Sequence, residues 1–154
     1  MAGKIGIDFH GVISDAPEVF EIFCREIRKK NVKVYVISGG PKKDVQTYLD
    51  EHHILYDEVW AILDFYSAQG KAEFFEDGSF KVDTALWNKA KAEYCAKENI
   101  NFHIDDSNVF GQYFVTPYCK YEVGHEVCSI GPVKIDFKNV EKAVEDIATY
   151  ILSK

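Results

Sequence analysis

An α/β fold with a mostly parallel central sheet is what this sequence predicts, and three observations predict it. Short β-branched and apolar runs alternate with segments whose apolar residues recur at helical spacing, the pattern of right-handed strand–helix–strand crossovers. The run at 32–37 (Val-Lys-Val-Tyr-Val-Ile) is almost continuously β-branched or aromatic, as in a strand buried on both faces. The apolar runs also end on polar residues: Asp8, Ser38, Asp64 and the pair Asp105-Asp106. In open parallel sheets ligands bind at the carboxyl ends of the strands, so this punctuation predicts one shared site.

The elements follow in order. Lys4-Ile5-Gly6-Ile7 reads as the first strand, delivering Asp8 to a Gly11 turn. Asp15 is placed to cap the next helix, with Pro17 in its first turn and Glu18 as in a capping box. Ala16, Val19, Phe20, Phe23 and Ile27 form its apolar stripe, and Arg28, Lys29 and Lys30 complement its C-terminal dipole. Ser38-Gly39-Gly40 closes the second strand, and Pro41 opens a helix to about residue 52. Residues 58–63 read as a third strand ending at Asp64, itself more a turn or cap residue than a ligand.

Two short extended runs around Asp77-Gly78 predict a small β-hairpin insertion at about 71–82. A helix over 84–98, capped by Asp83 or Thr84, precedes a strand at 101–104. Residues 110–115 and 133–137 read as further strands, and 138–152 as the last helix. The aromatics Tyr113, Phe114, Tyr118 and Tyr121 read as packing residues.

Composition bounds the function. The 154 residues are 47% hydrophobic and carry a formal charge of −7, enough for one domain spanning 1–154. The acidic balance argues against nucleic-acid or anionic-membrane partners. No apolar run approaches the ~20 residues of a membrane span, and the chain enters its first strand with no signal-peptide pattern. Four scattered cysteines, Cys24, Cys95, Cys119 and Cys128, are expected to be reduced thiols, which together with these absences predicts a cytoplasmic protein. Cys119, His125 and Cys128 lack an obvious fourth ligand for zinc.

Asp8, Asp105 and Asp106 place up to three carboxylates at one rim. Such charges repel, and a hard divalent cation, Mg2+ by ligand type, would neutralise them. Ser38 and Gly39, ahead of a helix N-terminus, suit an anion. Asp8-Phe9-His10-Gly11-Val12, Val-Ile-Ser38-Gly39-Gly40, a helix lysine and Ile-Asp105-Asp106-Ser107 together resemble the four motifs of the haloacid dehalogenase (HAD) superfamily, over nearly the whole chain. The resemblance implies a HAD-like Rossmannoid fold and a magnesium-dependent phosphohydrolase that cleaves a phosphate monoester through an aspartyl-phosphate. Asp8 would be nucleophile and metal ligand, the His10 carbonyl a second ligand, and Asp105 and Asp106 the rest of the metal site. Ser38 would hold phosphoryl oxygens.

Helical geometry favours Lys91 for the lysine, at the edge of the face set by Trp87, Ala90 and Tyr94, with Lys89 second and Lys81 third. His10 stands where most HAD phosphatases carry a second, acid/base aspartate. Imidazole, with a pKa of about 6.5, is able to take that role. The alternative is a catalytically weak or inactive metal- and phosphate-binding module.

Neither the 11–15 link nor the hairpin holds a large cap, which leaves an open site. Small phosphorylated substrates, phosphorylated macromolecules and a covering homo-oligomer partner all remain compatible. A phosphorylation-receiver domain is the second rival; it would accept phosphate on a middle-strand residue such as Asp64 rather than on Asp8.

Overall fold

A computed structural model describes residues 2–153. Seven strands form one sheet in the order β3-β2-β1-β6-β7-β8-β9: β1 (Gly3–Ile7), β2 (Val32–Ser38), β3 (Glu58–Ala61), β6 (Phe102–Asp105), β7 (Tyr118–Glu122), β8 (Val127–Ile130) and β9 (Val133–Asp136). The first five in spatial order run parallel, and β7-β8-β9 continue as an antiparallel meander. The hairpin β4 (Ala72–Phe74) and β5 (Phe80–Val82) forms a separate two-stranded ribbon.

Alternation along the strands divides the sheet into two faces. Ile5 and Ile7, Val34 and Val36, and Phe102 and Ile104 point into the larger core. They meet Phe20, Phe23 and Ile27 of α1 (Pro17–Arg28), Val45 and Leu49 of α2 (Lys42–Glu51), and Val144, Ile147 and Ile151 of α6 (Val140–Leu152). The opposite face carries Tyr35 and Ile37, packed with Cys95 and Ile100 at the end of α4 (Thr84–Lys97). Since side chains at i and i+2 share a face, Gly6 and Asp8 of the first strand, and His103 and Asp105 of β6, turn toward α4. The sheet therefore aims these polar residues at the helix that carries Lys91.

Several boundaries differ from the sequence expectation, each for a local reason. The third strand ends at Ala61, and Ile62–Ala68 is helix α3, whose Ile62, Leu63 and Tyr66 are buried. Residues 110–115 form no strand; α5 (Asn108–Gly111), capped by Ser107, and an irregular segment replace it. Phe110 is instead spent over the Lys91 ammonium, 4.8 Å from ring centre to Nζ, and Phe114 stacks on His103 at 4.9 Å. Asp15 does not cap α1, whose N-cap is Ala16; its carboxylate accepts bonds from the Tyr121 hydroxyl (2.8 Å) and the Gly124 N–H (3.0 Å), tying the β7–β8 turn to the first loop.

The cysteine expectation is corrected. Cys119 and Cys128 form a disulfide across the β7–β8 hairpin, which also removes both sulfurs from any zinc site, while Cys24 and Cys95 are free and buried. The two half-cystines are diagonal neighbours on the core face, because Cys128 pairs with Tyr121 in the ladder. Among the described residues no helix is long and apolar enough to cross a membrane.

Candidate active site

Three strands bring the site together. β1 lies between β2 and β6, with Ile7 paired to Val36 on one side and to Ile104 on the other. Asp8 follows Ile7 and donates its N–H to the Ile104 carbonyl (2.9 Å), so its carboxyl group emerges beside Asp105. Ser38 ends β2 next door. The loop after Asp8 is a wide turn over Phe9–Ile13, closed by the Ser14 N–H on the Phe9 carbonyl (3.0 Å).

Gly11 is required in that turn. Its φ of +84° is a left-handed conformation that side-chain-bearing residues rarely adopt, and a Cβ there would collide with the Asp106 carboxylate. Asp8, Asp105 and Asp106 each offer an oxygen within 4.8 Å of the others. Asp105 is fully buried and Asp8 nearly so.

Lys91 supplies the counter-charge. It is 1% exposed, and its Nζ donates to Asp8 Oδ1 at 2.7 Å and to Asp105 Oδ2 at 2.9 Å. It lies on the buried face of α4 with Ala90, Ala92 and Cys95. The other lysines stand apart. Lys89 is exposed and lines a groove with Ala96, Tyr113 and Val115, while Lys81 is exposed on β5 beside Glu73 and Asp83. Neither is part of the carboxylate cluster.

A buried histidine that sequence reasoning overlooked completes the network. His103 Nε2 lies 3.0 Å from Asp105 Oδ2, and its Nδ1 faces Gly6, where a Cβ would stand only 2.6 Å away. A carboxylate only accepts, so Nε2 carries the proton in this contact. Burial holds the His103 pKa below its usual value, which keeps the ring neutral. The one available signal was its position two residues before Asp105, on the same strand face.

The charge states are unequal. Burial alone would raise both carboxyl pKa values. For Asp105, Lys91 and the His103 hydrogen bond outweigh burial and hold the group below the carboxylate range. For Asp8, burial dominates, with Lys91 opposing it and Asp105 reinforcing it, so its pKa is raised well above normal. The same two aspartates push the Lys91 pKa up despite its own burial. Lys91 bonds two of the three carboxyl groups and leaves Asp106 without that counter-charge, and the donor set consists of hard oxygens. This fits a small divalent cation held by Asp8, Asp105 and Asp106.

The remaining candidates are placed as follows. Ser38 is fully buried, and its Oγ accepts from the Gly40 N–H (3.1 Å), folding the 38–40 turn back on itself. Asp64 Oδ1 accepts from the Lys42 N–H (2.8 Å) at the start of α2, the work of a cap. The His10 ring is exposed and sits edge-on to Phe9, with centroids 4.8 Å apart. A cavity of about 350 Å³ lined by Arg25, Arg28 and Lys33 lies at the amino ends of the strands, the rim opposite these carboxylates.

Fold and site define a class: an α/β protein with a mostly parallel seven-stranded mixed sheet, flanked by helices, bearing an acidic cluster and a buried lysine at the carboxyl ends of its strands. No protein-family model matches the chain, and neither curated proteins nor solved structures provide a match.

Proposed function

We propose that this protein is a magnesium-dependent phosphohydrolase of HAD-like architecture, acting on a phosphate monoester through an aspartyl-phosphate at Asp8. The observation that carries the reading is the clustering of Asp8, Asp105 and Asp106 at one rim, with the buried Lys91 ammonium bonded to Asp8 and Asp105. Asp8, at the end of a rigid central strand, is the nucleophile. Its carboxylate oxygen bonds to phosphorus as the ester P–O bond breaks, and the departing oxygen takes up a proton from His10 or from water. Water then attacks the same phosphorus, releasing inorganic phosphate and restoring the Asp8 carboxylate.

Magnesium, when bound, supplies positive charge that ionises Asp8 and offsets charge on the transferring group. Lys91 orients Asp8 through the 2.7 Å bond and adds charge of the same sign. Asp105, kept ionised by Lys91 and His103, anchors that lysine. In this reading Ser38 and Gly39, at the end of the strand beside Asp8, hold the phosphoryl oxygens.

The test is release of p-nitrophenol from p-nitrophenyl phosphate with magnesium present, with Asp8→Asn as the blank. Turnover that is lost in Asp8→Asn and on chelation supports the reading; turnover that survives Asp8→Asn refutes it. In this reading His10→Asn lowers turnover by about 10²–10⁴-fold and leaves magnesium affinity alone. The exposed ring of His10, packed on Phe9, favours a second reading: a module that holds magnesium and phosphate without turning over. Magnesium binding by a wild-type protein with no turnover on any phosphate monoester would select it.

A further inference from the structure

Four residues before Lys91, and so on the same face of α4, lies Trp87. Lys91 reaches the carboxylates, while the half-buried indole of Trp87 covers Gly39, directly after Ser38. A Cβ on Gly39 would stand 3.0 Å from Cζ2 and 3.3 Å from Cη2 of the ring, so a side chain there would push the indole back by a few tenths of an ångström. Phe80 of β5 packs against Trp87 with ring centres 5.7 Å apart and planes tilted by 35°.

The packing of the hairpin leaves aromatic surface unspent. Phe80 is 38% exposed and its cross-strand partner Phe74 is 59% exposed. A ribbon that needed these rings only as anchors would bury them. Phe80 instead continues the surface that Trp87 begins at Gly39, with Phe74 opposite it in the ladder.

We infer that Trp87 and Phe80 form an aromatic wall that selects phosphate monoesters whose leaving group is a planar aromatic ring. The inference rests on the phosphoryl-transfer reading above, because it takes Ser38-Gly39 as the phosphoryl end of the substrate. A group ester-linked to a phosphoryl held there lies beside Gly39, the residue that the indole covers. A flat ring offers an offset-stacked or edge contact there that a saturated group of equal size does not. The pairing is worth about tenfold in affinity.

Three non-hydrolysable probes test this by calorimetry in saturating magnesium: phenylphosphonate, cyclohexylphosphonate and methylphosphonate. The expected order for the wild type is phenyl tightest, by about tenfold over cyclohexyl. Trp87→Leu keeps an apolar side chain and is expected to bring phenylphosphonate to the level of cyclohexylphosphonate. Phe80→Ala, on the exposed ribbon, is expected to weaken phenylphosphonate alone. Equal affinity for phenyl and cyclohexyl in the wild type overturns the wall and leaves the phosphate site standing. So does a phenyl preference that survives Trp87→Leu, or loss of all three probes in that variant. A dimer dissolved by Phe80→Ala in sedimentation assigns the surface to a second copy and overturns the inference too. If the wild type binds none of the three probes, the phosphoryl-transfer reading fails first and the wall falls with it.

Discussion

Replacing Lys91 by methionine probes the site as a structural unit, independently of any substrate. Methionine keeps the length and packing of the side chain but removes the ammonium that bonds Asp8 at 2.7 Å and Asp105 at 2.9 Å. The lysine and Asp105 side chains are 2% and 0% exposed, so water does not replace the lost partner. Breaking a buried ion pair by removing one member costs about 3–5 kcal/mol, since the other charge stays buried. Asp8 softens the loss: its pKa is already raised by burial, and without Lys91 it protonates more readily, shedding one charge. The cost then falls at the lower end, about 3 kcal/mol. For a chain of this size that is about 6–12 °C in Tm.

The assay is urea unfolding of wild type and Lys91→Met in a chelator, repeated with magnesium. Magnesium is expected to stabilise the variant more than the wild type, because a bound cation replaces the missing charge. A variant within about 1 kcal/mol of wild type in chelator would refute the claim that the ammonium holds these carboxylates together.

Other expectations follow from separate parts of the molecule. Gly11→Ala forces a Cβ into the Asp106 carboxylate at a φ of +84°, and is expected to weaken magnesium binding by about tenfold or more in calorimetry, a loss comparable to disturbing a ligand's support. Thiol titration of the unfolded, unreduced chain should count two cysteines, since Cys119 and Cys128 are bonded; four would contradict the disulfide. The folded protein should react with neither free thiol, both being buried, with burial pushing the Cys24 pKa up to about 12. Reducing the disulfide should cost about 2–3 kcal/mol by urea unfolding, given the short loop it closes.

Stability should also respond to acid through Asp57. Burial opposes its ionisation, but the Arg28 guanidinium (3.0 Å) and the Val34 N–H (2.8 Å) outweigh that and lower its pKa. A depressed folded pKa contributes stability that is fully present above the unfolded value of about 3.9 and is lost as pH falls through the folded one. Because the pair is partly exposed, the contribution is below about 1 kcal/mol, and Asp57→Asn should remove that portion of the acid dependence.

Much of the site was legible because strand ends are. Asp8, Ser38 and Asp105-Asp106 each follow an apolar run, and helical geometry ranks Lys91, at the edge of the packed face, ahead of Lys89 and Lys81. Short apolar runs were less legible. Ile62 and Leu63 extend the third strand in sequence, yet they start α3, because runs this short fit either period. Phe110 and Phe114 looked like strand residues, but tertiary contacts with Lys91 and His103 decide their conformation. The disulfide needed the register of a hairpin that the sequence does not mark strongly. His103 reads as one more residue of a buried strand until Gly6 is seen to make room for its ring.

The central claim is that one carboxylate, Asp8, receives the phosphoryl group. Acid quenching of the magnesium-loaded protein during turnover of p-nitrophenyl phosphate, followed by peptide mapping, tests it most directly. A phosphoryl group on Asp8, absent in Asp8→Asn, is the expected result. Phosphate found on Asp64 or on a histidine, with Asp8 unmodified while product is still released, would contradict it.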